Sequence, residues 1–274
     1  MSRTILILGM GRMGQALATR MLQAGIVDAT HVRGGCRRPE QAAELSATLG
    51  LECTADGAEA ARWADVIVLC VKPKDVATSL ASLAPGLRAR SSPGLMISIA
   101  AGVTSAAIAR QIPTPTSIIR AMPNTACRIG AGVTALAAGP GAADADMDVA
   151  HSLFSVMGVV VRVEEVALDI VTALSASGIA FAYAILDAMM RSGCAGGLDE
   201  LTARTLTLET WRGAAAMIAA SRQTPAELIA EVLTPNGTTA AGMDILRQRH
   251  VPEALADAVG AAALRARELG RQFG

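Results

Sequence analysis

Near its amino end the chain runs Thr4-Ile5-Leu6-Ile7-Leu8, turns through Gly9, Met10, Gly11, Arg12, Met13 and Gly14, and continues as Gln15-Ala16-Leu17-Ala18-Thr19-Arg20-Met21-Leu22. An apolar run, a G-x-G-x-x-G turn and an apolar-periodic segment, in that order, predict a strand, a tight loop and a helix. Each glycine has a separate physical task. Gly9 allows the turn, Gly11 lets the backbone come close to a pyrophosphate, and Gly14 lets helix and strand meet without an intervening side chain. The helix start, with unpaired N–H groups and the positive end of its dipole, then faces phosphate. This opening predicts an α/β, Rossmann-type doubly wound and mostly parallel sheet that binds a dinucleotide. A glycine-rich turn with no ligand is the competing reading.

The end of the next strand, His31-Val32-Arg33-Gly34-Gly35, bears on which dinucleotide. An NAD site places an acid here for the ribose 2′-hydroxyl, whereas this chain offers Cys36, Arg37 and Arg38, with no acid before Glu40. Paired guanidiniums suit a 2′-phosphate, so NADP is expected, with NADPH preferred over NADH. A solvated basic pair at a helix start is the alternative.

A chain of 274 residues is near the size at which one core splits into two, so two domains are expected. Lys+Arg and Asp+Glu are both 24, which leaves no global field for nucleic acid or an anionic membrane. With one tyrosine, two tryptophans and three phenylalanines there is little material for base stacking. The five cysteines are scattered and never form C-x-x-C, and the three histidines are equally dispersed. These spacings predict reduced thiols, no metal site and a cytoplasmic protein. The apolar run at residues 5–8 is too short for a signal peptide. Residues 170–190 carry only Asp187, a length that could span a bilayer, but they include Thr172, Ser175, Ser177 and Gly178. A helix buried between subunits is the expectation, with no membrane partner.

Further along, a helix is expected over 39–49 and a short strand over 51–53. Asp56-Gly57-Ala58-Glu59 reads as a capping box. Residues 64–71 form a continuous apolar run typical of a buried parallel strand, ending at Lys72-Pro73, the edge where open α/β sheets bind ligands. Strands are expected over 95–99, 117–121, 132–138 and 159–163, with a helix over about 142–157. Past Glu164 the apolar period becomes helical, over 166–190, 198–220, 225–233, 239–249 and 252–273. The division predicted is a dinucleotide-binding domain over 1–163 and a helical substrate and dimerisation domain over 164–274.

The motifs taken together resemble the pyrroline-5-carboxylate reductase family, which reduces a cyclic imine to proline with NAD(P)H. The likeness rests on the loop at 9–14, Val71-Lys72-Pro73, Arg120-Ala121-Met122-Pro123-Asn124-Thr125, Thr172-Ala173-Leu174-Ser175-Ala176-Ser177-Gly178, and Thr234-Pro235-Asn236-Gly237-Thr238-Thr239. It implies NADPH-dependent reduction of 1-pyrroline-5-carboxylate to L-proline. It places Cys70, Val71, Lys72 and Pro73 along the cofactor, and Met122, Pro123 and Asn124 near its nicotinamide end. It implies a substrate site at Asn236, Gly237, Thr238 and Thr239 together with Ser175. Backbone N–H groups before a helix hold the carboxylate of this cyclic imine, a small-molecule partner, and the Thr239 hydroxyl is the catalytic group beside the imine nitrogen. A homodimer, and an assembly of such dimers, are the family's implied partners.

Departures are specific. Family members commonly read Pro and Tyr where this chain has Ile179 and Phe181, Gly where it has Asn236, and Asn where it has Gly57. A reductase of a different cyclic imine and a non-catalytic NADP-binding scaffold or sensor therefore stay open. A β-hydroxyacid dehydrogenase fits less well, because its helical-domain lysine has no counterpart after Lys74.

Overall fold

A computed structural model describes residues 3–90 and 94–272. The chain opens with β1 (Ile5–Leu8), α1 (Arg12–Gln23), β2 (Val32–Gly35), α2 (Pro39–Leu49), β3 (Glu52–Thr54), α3 (Gly57–Trp63) and β4 (Val66–Leu69). It continues with α4 (Val76–Arg88), β5 (Leu95–Ser98), α5 (Ser105–Ala109), β6 (Ser117–Pro123), β7 (Gly132–Ala138), α6 (Asp144–Ser155) and β8 (Gly158–Arg162). The strands form one eight-stranded sheet in the order β3-β2-β1-β4-β5-β6-β7-β8. All neighbours are parallel except β6 and β7. The chain steps from β1 outward to β3, then crosses back to β4 on the other side of β1. That reversal creates the crevice at the strands' carboxyl ends where such sheets take ligands.

Strand periodicity divides the core between two faces. Ile5, Ile7, Val66, Val68 and Ile97 pack with Leu17, Met21 and Phe154 on one side. Leu6, Leu8, Ile67, Leu69 and Met96 pack with Leu80, Leu83 and Leu87 on the other. Both faces being covered explains why β1 and β4 are apolar at every position.

Most expected elements are present with ends shifted by one or two residues. Strand β3 sits one residue beyond the expected 51–53. The box at Asp56 is half formed. Asp56 Oδ1 accepts from the Glu59 N–H at 2.9 Å, but Glu59 turns to Arg33, whose Nη1 donates to its Oε1 at 2.8 Å. The Arg33 guanidinium also lies 4.3 Å from the Trp63 ring centre. A charge-assisted pair outcompetes the return bond to a solvated backbone N–H.

After β8 the chain is helical. A 3₁₀ turn (Glu165–Ala167) leads through α7 (Leu168–Val171) and a π-turn (Thr172–Ser177) into α8 (Gly178–Ala195), α9 (Glu200–Ala220), α10 (Pro225–Val232), α11 (Thr238–Gln248) and α12 (Val251–Arg271). The expected helix over 166–190 is thus one helical run with a π-turn inside it. Thr224 and Glu227 form the full reciprocal cap before α10. Phe273, at the end of the last expected helix, lies outside the described residues.

Two compact units result, Met1–Ala176 with Ala261–Gly274, and Ser177–Gly260. In the second unit α8 packs on α9. The Trp211 Nε1–H donates to Met189 Sδ at 3.0 Å, and Gly193 lies where an added Cβ would meet Ala203 Cβ at 3.0 Å. The run Glu165–Ala195 is long and apolar enough to cross a membrane, and in a single chain little of it is covered.

Candidate functional site

The glycine loop has the geometry its sequence predicts. Gly9 sits at φ +101, and a Cβ there would meet Cys70 and Val71 at 2.8 Å, so the loop and the end of β4 are in contact. A Cβ on Gly14 would lie 2.3 Å from the Gly9 carbonyl oxygen, which only glycine permits. At Gly11 an added Cβ meets nothing within 4 Å, and its open side is where a ligand backbone would lie. Gly11 is the N-cap of α1, makes no side-chain cap bond, and no acid occupies the first turn. The first N–H groups of α1 are therefore left for an anion. This arrangement of open cradle, close packing and uncapped helix start fits a dinucleotide pyrophosphate.

Gln15 adds a support that sequence reading assigned only to the helix. Its Nε2 donates to the Met10 carbonyl at 2.8 Å and ties the loop to α1. The signal was an amide one turn into that helix. Met10 and Gly14 are buried, Met13 is half-buried, and Arg12 and Gly11 are exposed.

Beyond β2, Arg37 and Arg38 are exposed and lead into α2. Neither guanidinium has an ion-pair or hydrogen-bond partner among the described residues, so both are free to meet a dianion. Beside them burial, with Cys53 adjacent, pushes the Cys36 thiol up to about 11. At the end of β4 burial likewise pushes the Cys70 thiol up to about 12. Both are uncharged thiols that line the crevice without contributing a field. Val71 and Pro73 are half-buried and Lys72 is exposed ahead of a 3₁₀ turn (Pro73–Asp75). Two strands away, Met122, Pro123 and Asn124 end β6 buried. Residues 9–14, 37–38, 70–73 and 122–124 thus all lie in the first unit, at or past the carboxyl ends of β1, β2, β4 and β6 of one sheet.

Ser175 also belongs to the first unit, inside the π-turn. Its Oγ is buried with no hydrogen-bond partner. A hydroxyl left unpaired in this way costs about 1–3 kcal/mol, and π-turns recur where a site needs the helix locally widened.

Asn236, Gly237, Thr238 and Thr239 lie together in the second unit at the start of α11. The residue capping α11 is Gly237, and no side-chain cap or first-turn acid occupies that end. Thr238 and Thr239 are exposed with no hydroxyl bonds among the described residues. An added Cβ on Gly237 would come within 2.2 Å of Thr234 Oγ1, which fixes glycine there. Asn236 has φ +58, the left-handed region that asparagine tolerates better than most residues. Its replacement of the family's glycine therefore preserves the turn. Gly57 has a similar packing explanation, because a Cβ there would meet Ser82 Oγ at 2.8 Å. No group of three or more His, Cys, Asp or Glu side chains among the described residues could hold a metal ion.

A doubly wound sheet with an uncapped glycine cradle, followed by a helical region, defines a dinucleotide-binding oxidoreductase architecture. Family models agree with that division. One described as NADP oxidoreductase, coenzyme F420-dependent, matches residues 4–102, and one described as pyrroline-5-carboxylate reductase dimerisation matches residues 165–269. The pyrroline-5-carboxylate reductase of Methanosarcina acetivorans is 34% identical over 97% of this chain and 97% of its own length. That of Synechocystis is 35% identical over 99% of this chain and 100% of its own. Among solved structures, Coxiella burnetii pyrroline-5-carboxylate reductase superposes with a TM-score of 0.88 at 30% identity, covering 98% of this chain and 99% of that one. Plasmodium falciparum pyrroline carboxylate reductase, solved with NADP bound, gives a TM-score of 0.88 at 26% identity, covering 98% of each chain. The chain belongs to the pyrroline-5-carboxylate reductase family.

Proposed function

We propose that this protein reduces 1-pyrroline-5-carboxylate to L-proline with NADPH. The observation that carries this reading is likeness along essentially the whole chain to reductases of that name, with the cradle, the strand ends and the α11 loop all present. In this reading residues 1–163 bind the dinucleotide and residues 164–274 serve the substrate and dimerisation.

Gly9, Met10, Gly11, Arg12, Met13 and Gly14 hold the pyrophosphate by main-chain N–H groups, and Arg37 and Arg38 take the 2′-phosphate. Cys70, Val71, Lys72 and Pro73 flank the cofactor, and Met122, Pro123 and Asn124 border the nicotinamide. When bound, NADPH supplies the hydride that reduces the protonated imine carbon, giving the ring amine and NADP⁺. A protonated imine is already electrophilic, so the protein needs position and exclusion of water more than a strong acid. The uncapped amides after Asn236 and Gly237 bind the carboxylate, and the Thr238 and Thr239 hydroxyls complete that end. Thr239 Oγ1 accepts the iminium N–H bond and orients the ring, and the Ser175 hydroxyl takes a partner from the substrate or cofactor.

The exposed apolar run Glu165–Ala195 supports a dimer whose partner covers it, and dimers can assemble further. A cytoplasmic biosynthetic enzyme is the corresponding placement. The deciding assay follows NADPH consumption by purified protein with pyrroline-5-carboxylate and with its six-membered homologue. Faster turnover of the five-membered ring supports the proposal. A preference for the larger ring assigns a different imine, with Ile179 and Phe181 as the first residues to exchange, and no turnover of either leaves an NADP-binding scaffold.

A further inference from the structure

A polar cluster of the first unit, centred on the buried Arg120, joins four separate segments. Arg120, on β6 and only 5% exposed, donates through Nη1 to Glu165 Oε1 at 3.3 Å. The same carboxylate accepts the Ser105 N–H at 2.8 Å and the Ser105 hydroxyl, at the start of α5. One turn on, Asp169 pairs with Arg267 of α12 at 3.6 Å. Beside them α12 reaches the β5–α5 turn so closely that a Cβ on Gly270 would lie 2.9 Å from the Gly102 carbonyl oxygen.

This cluster touches the residues bordering the nicotinamide end. Arg120 lies two residues before Met122 on the same strand, and Met122 packs in one apolar cluster with Leu168 of α7. Leu168 follows Glu165 by one helical turn and leads directly into the π-turn that carries Ser175. The chain leaves the first unit after Ala176 and returns at Ala261, and Asp169 with Arg267 ties the two crossings together on that unit's surface.

We infer that Glu165 is a positioning residue for imine reduction: with Arg120 and the docked end of α12 it fixes Met122 and the Ser175 turn relative to one another. A disturbance at the Gly102–Gly270 contact is then read out in imine turnover and not in dinucleotide affinity. Arg120 is buried, so its guanidinium is costly to hold there unless the bond to the partly exposed Glu165 carboxylate is made, and that bond ties β6 to the Glu165 turn. A placement error of about 1 Å at a reacting centre can cost about a hundredfold in rate.

The inference rests on the proposed reductase reading, and the experiment separates the two. Gly270→Ala inserts one methyl group against backbone while favouring helix, and Arg267→Ala removes one tie at the surface; Glu165→Gln removes the central charge. For each, kcat and KM with pyrroline-5-carboxylate are measured beside the Kd for NADPH by its fluorescence and the melting temperature. Gly270→Ala and Arg267→Ala are expected to lower kcat/KM for the imine about three- to tenfold and Glu165→Gln more than about tenfold, with the NADPH Kd held within about twofold. Wild-type imine kinetics in folded Gly270→Ala and Arg267→Ala overturn the inference whatever Glu165→Gln does. So does a loss shared equally by NADPH affinity. Absence of turnover in the wild type instead refutes the reductase reading.

Discussion

Two single-methyl substitutions in the glycine loop separate a phosphate cradle from an ordinary turn. In Gly14→Ala the new Cβ would stand 2.3 Å from the Gly9 carbonyl oxygen and 3.2 Å from Ile7 Cγ2. Relief requires α1 to move off β1 by about 1 Å, because neither obstacle is the free end of a flexible side chain. Overpacking of this kind costs about 1–3 kcal/mol, here at the upper end, which corresponds to roughly 6–12 °C of melting temperature for a chain of this size class. In Gly11→Ala the methyl meets nothing within 4 Å. Its cost is that of alanine at an N-cap, about 1 kcal/mol or less. Yet that methyl stands on the open side of the helix start, where a pyrophosphate must approach. NADPH at a hundred times its Kd should stabilise the wild type by about 2.7 kcal/mol. Gly11→Ala should melt close to the wild type without ligand and lose most of the NADPH-induced shift, with Kd raised at least about tenfold. Gly14→Ala should melt low in both conditions. If Gly11→Ala bound NADPH as the wild type does, the loop would be a turn and the cofactor site would lie elsewhere.

Arg37→Ala with Arg38→Ala should raise the KM for NADPH by about ten- to a hundredfold, from two exposed charge-assisted contacts of the kind worth about 1.5–3 kcal/mol before screening, while NADH changes little; steady-state kinetics with each cofactor check this. Thr239→Ala should lower kcat with pyrroline-5-carboxylate by roughly ten- to a hundredfold, within the 10–1,000-fold span seen when single transition-state contacts are removed, and leave the NADPH Kd unchanged by fluorescence titration. The Cys70 thiol, raised from 9.0 to about 12, keeps its proton in the native state after the unfolded chain has lost it. Its contribution is therefore fully present below pH 9 and is lost as pH rises toward 12, at about 1.4 kcal/mol per unit at most, so denaturation midpoints of Cys70→Ser should fall less steeply across that window.

Those features that depend on local pattern were legible. The β1–loop–α1 unit and the buried β4 run could be read because neighbours a few residues apart determine them. Where a distant side chain enters the competition, sequence alone ran out. Glu59 looked like the closing half of a capping box, but Arg33, 26 residues away, takes its carboxylate. The π-turn at Thr172–Ser177 shifts the helical phase, but the surrounding run is apolar on most sides and hides the shift, and so the unpaired Ser175 hydroxyl could not be foreseen. Asn236 read as a departure from a glycine pattern until its φ of +58 showed that asparagine meets the same backbone demand. Glu165 and Ser105 carried no motif, and only the fold brings them to Arg120.

The chemistry also accounts for what the helical region lacks. No lysine follows Lys74, and the three histidines are dispersed. For a carbonyl substrate this would be a deficit, because an alkoxide forms and must be protonated by a positioned acid. A cyclic imine enters already protonated, and its product is an amine that needs no such donor at the moment of hydride transfer. What remains to be recognised is a carboxylate, and the uncapped start of α11 offers main-chain N–H groups that do not require desolvating a cationic side chain. The start of α1 is likewise uncapped and free of first-turn acids, and in the proposed reading its backbone meets the pyrophosphate while Arg37 and Arg38 take the 2′-phosphate. In the proposed site both anions are met by helix starts, α1 for the pyrophosphate and α11 for the carboxylate. That is why the Glu165 cluster, which contacts neither anion, is where rate rather than affinity should respond.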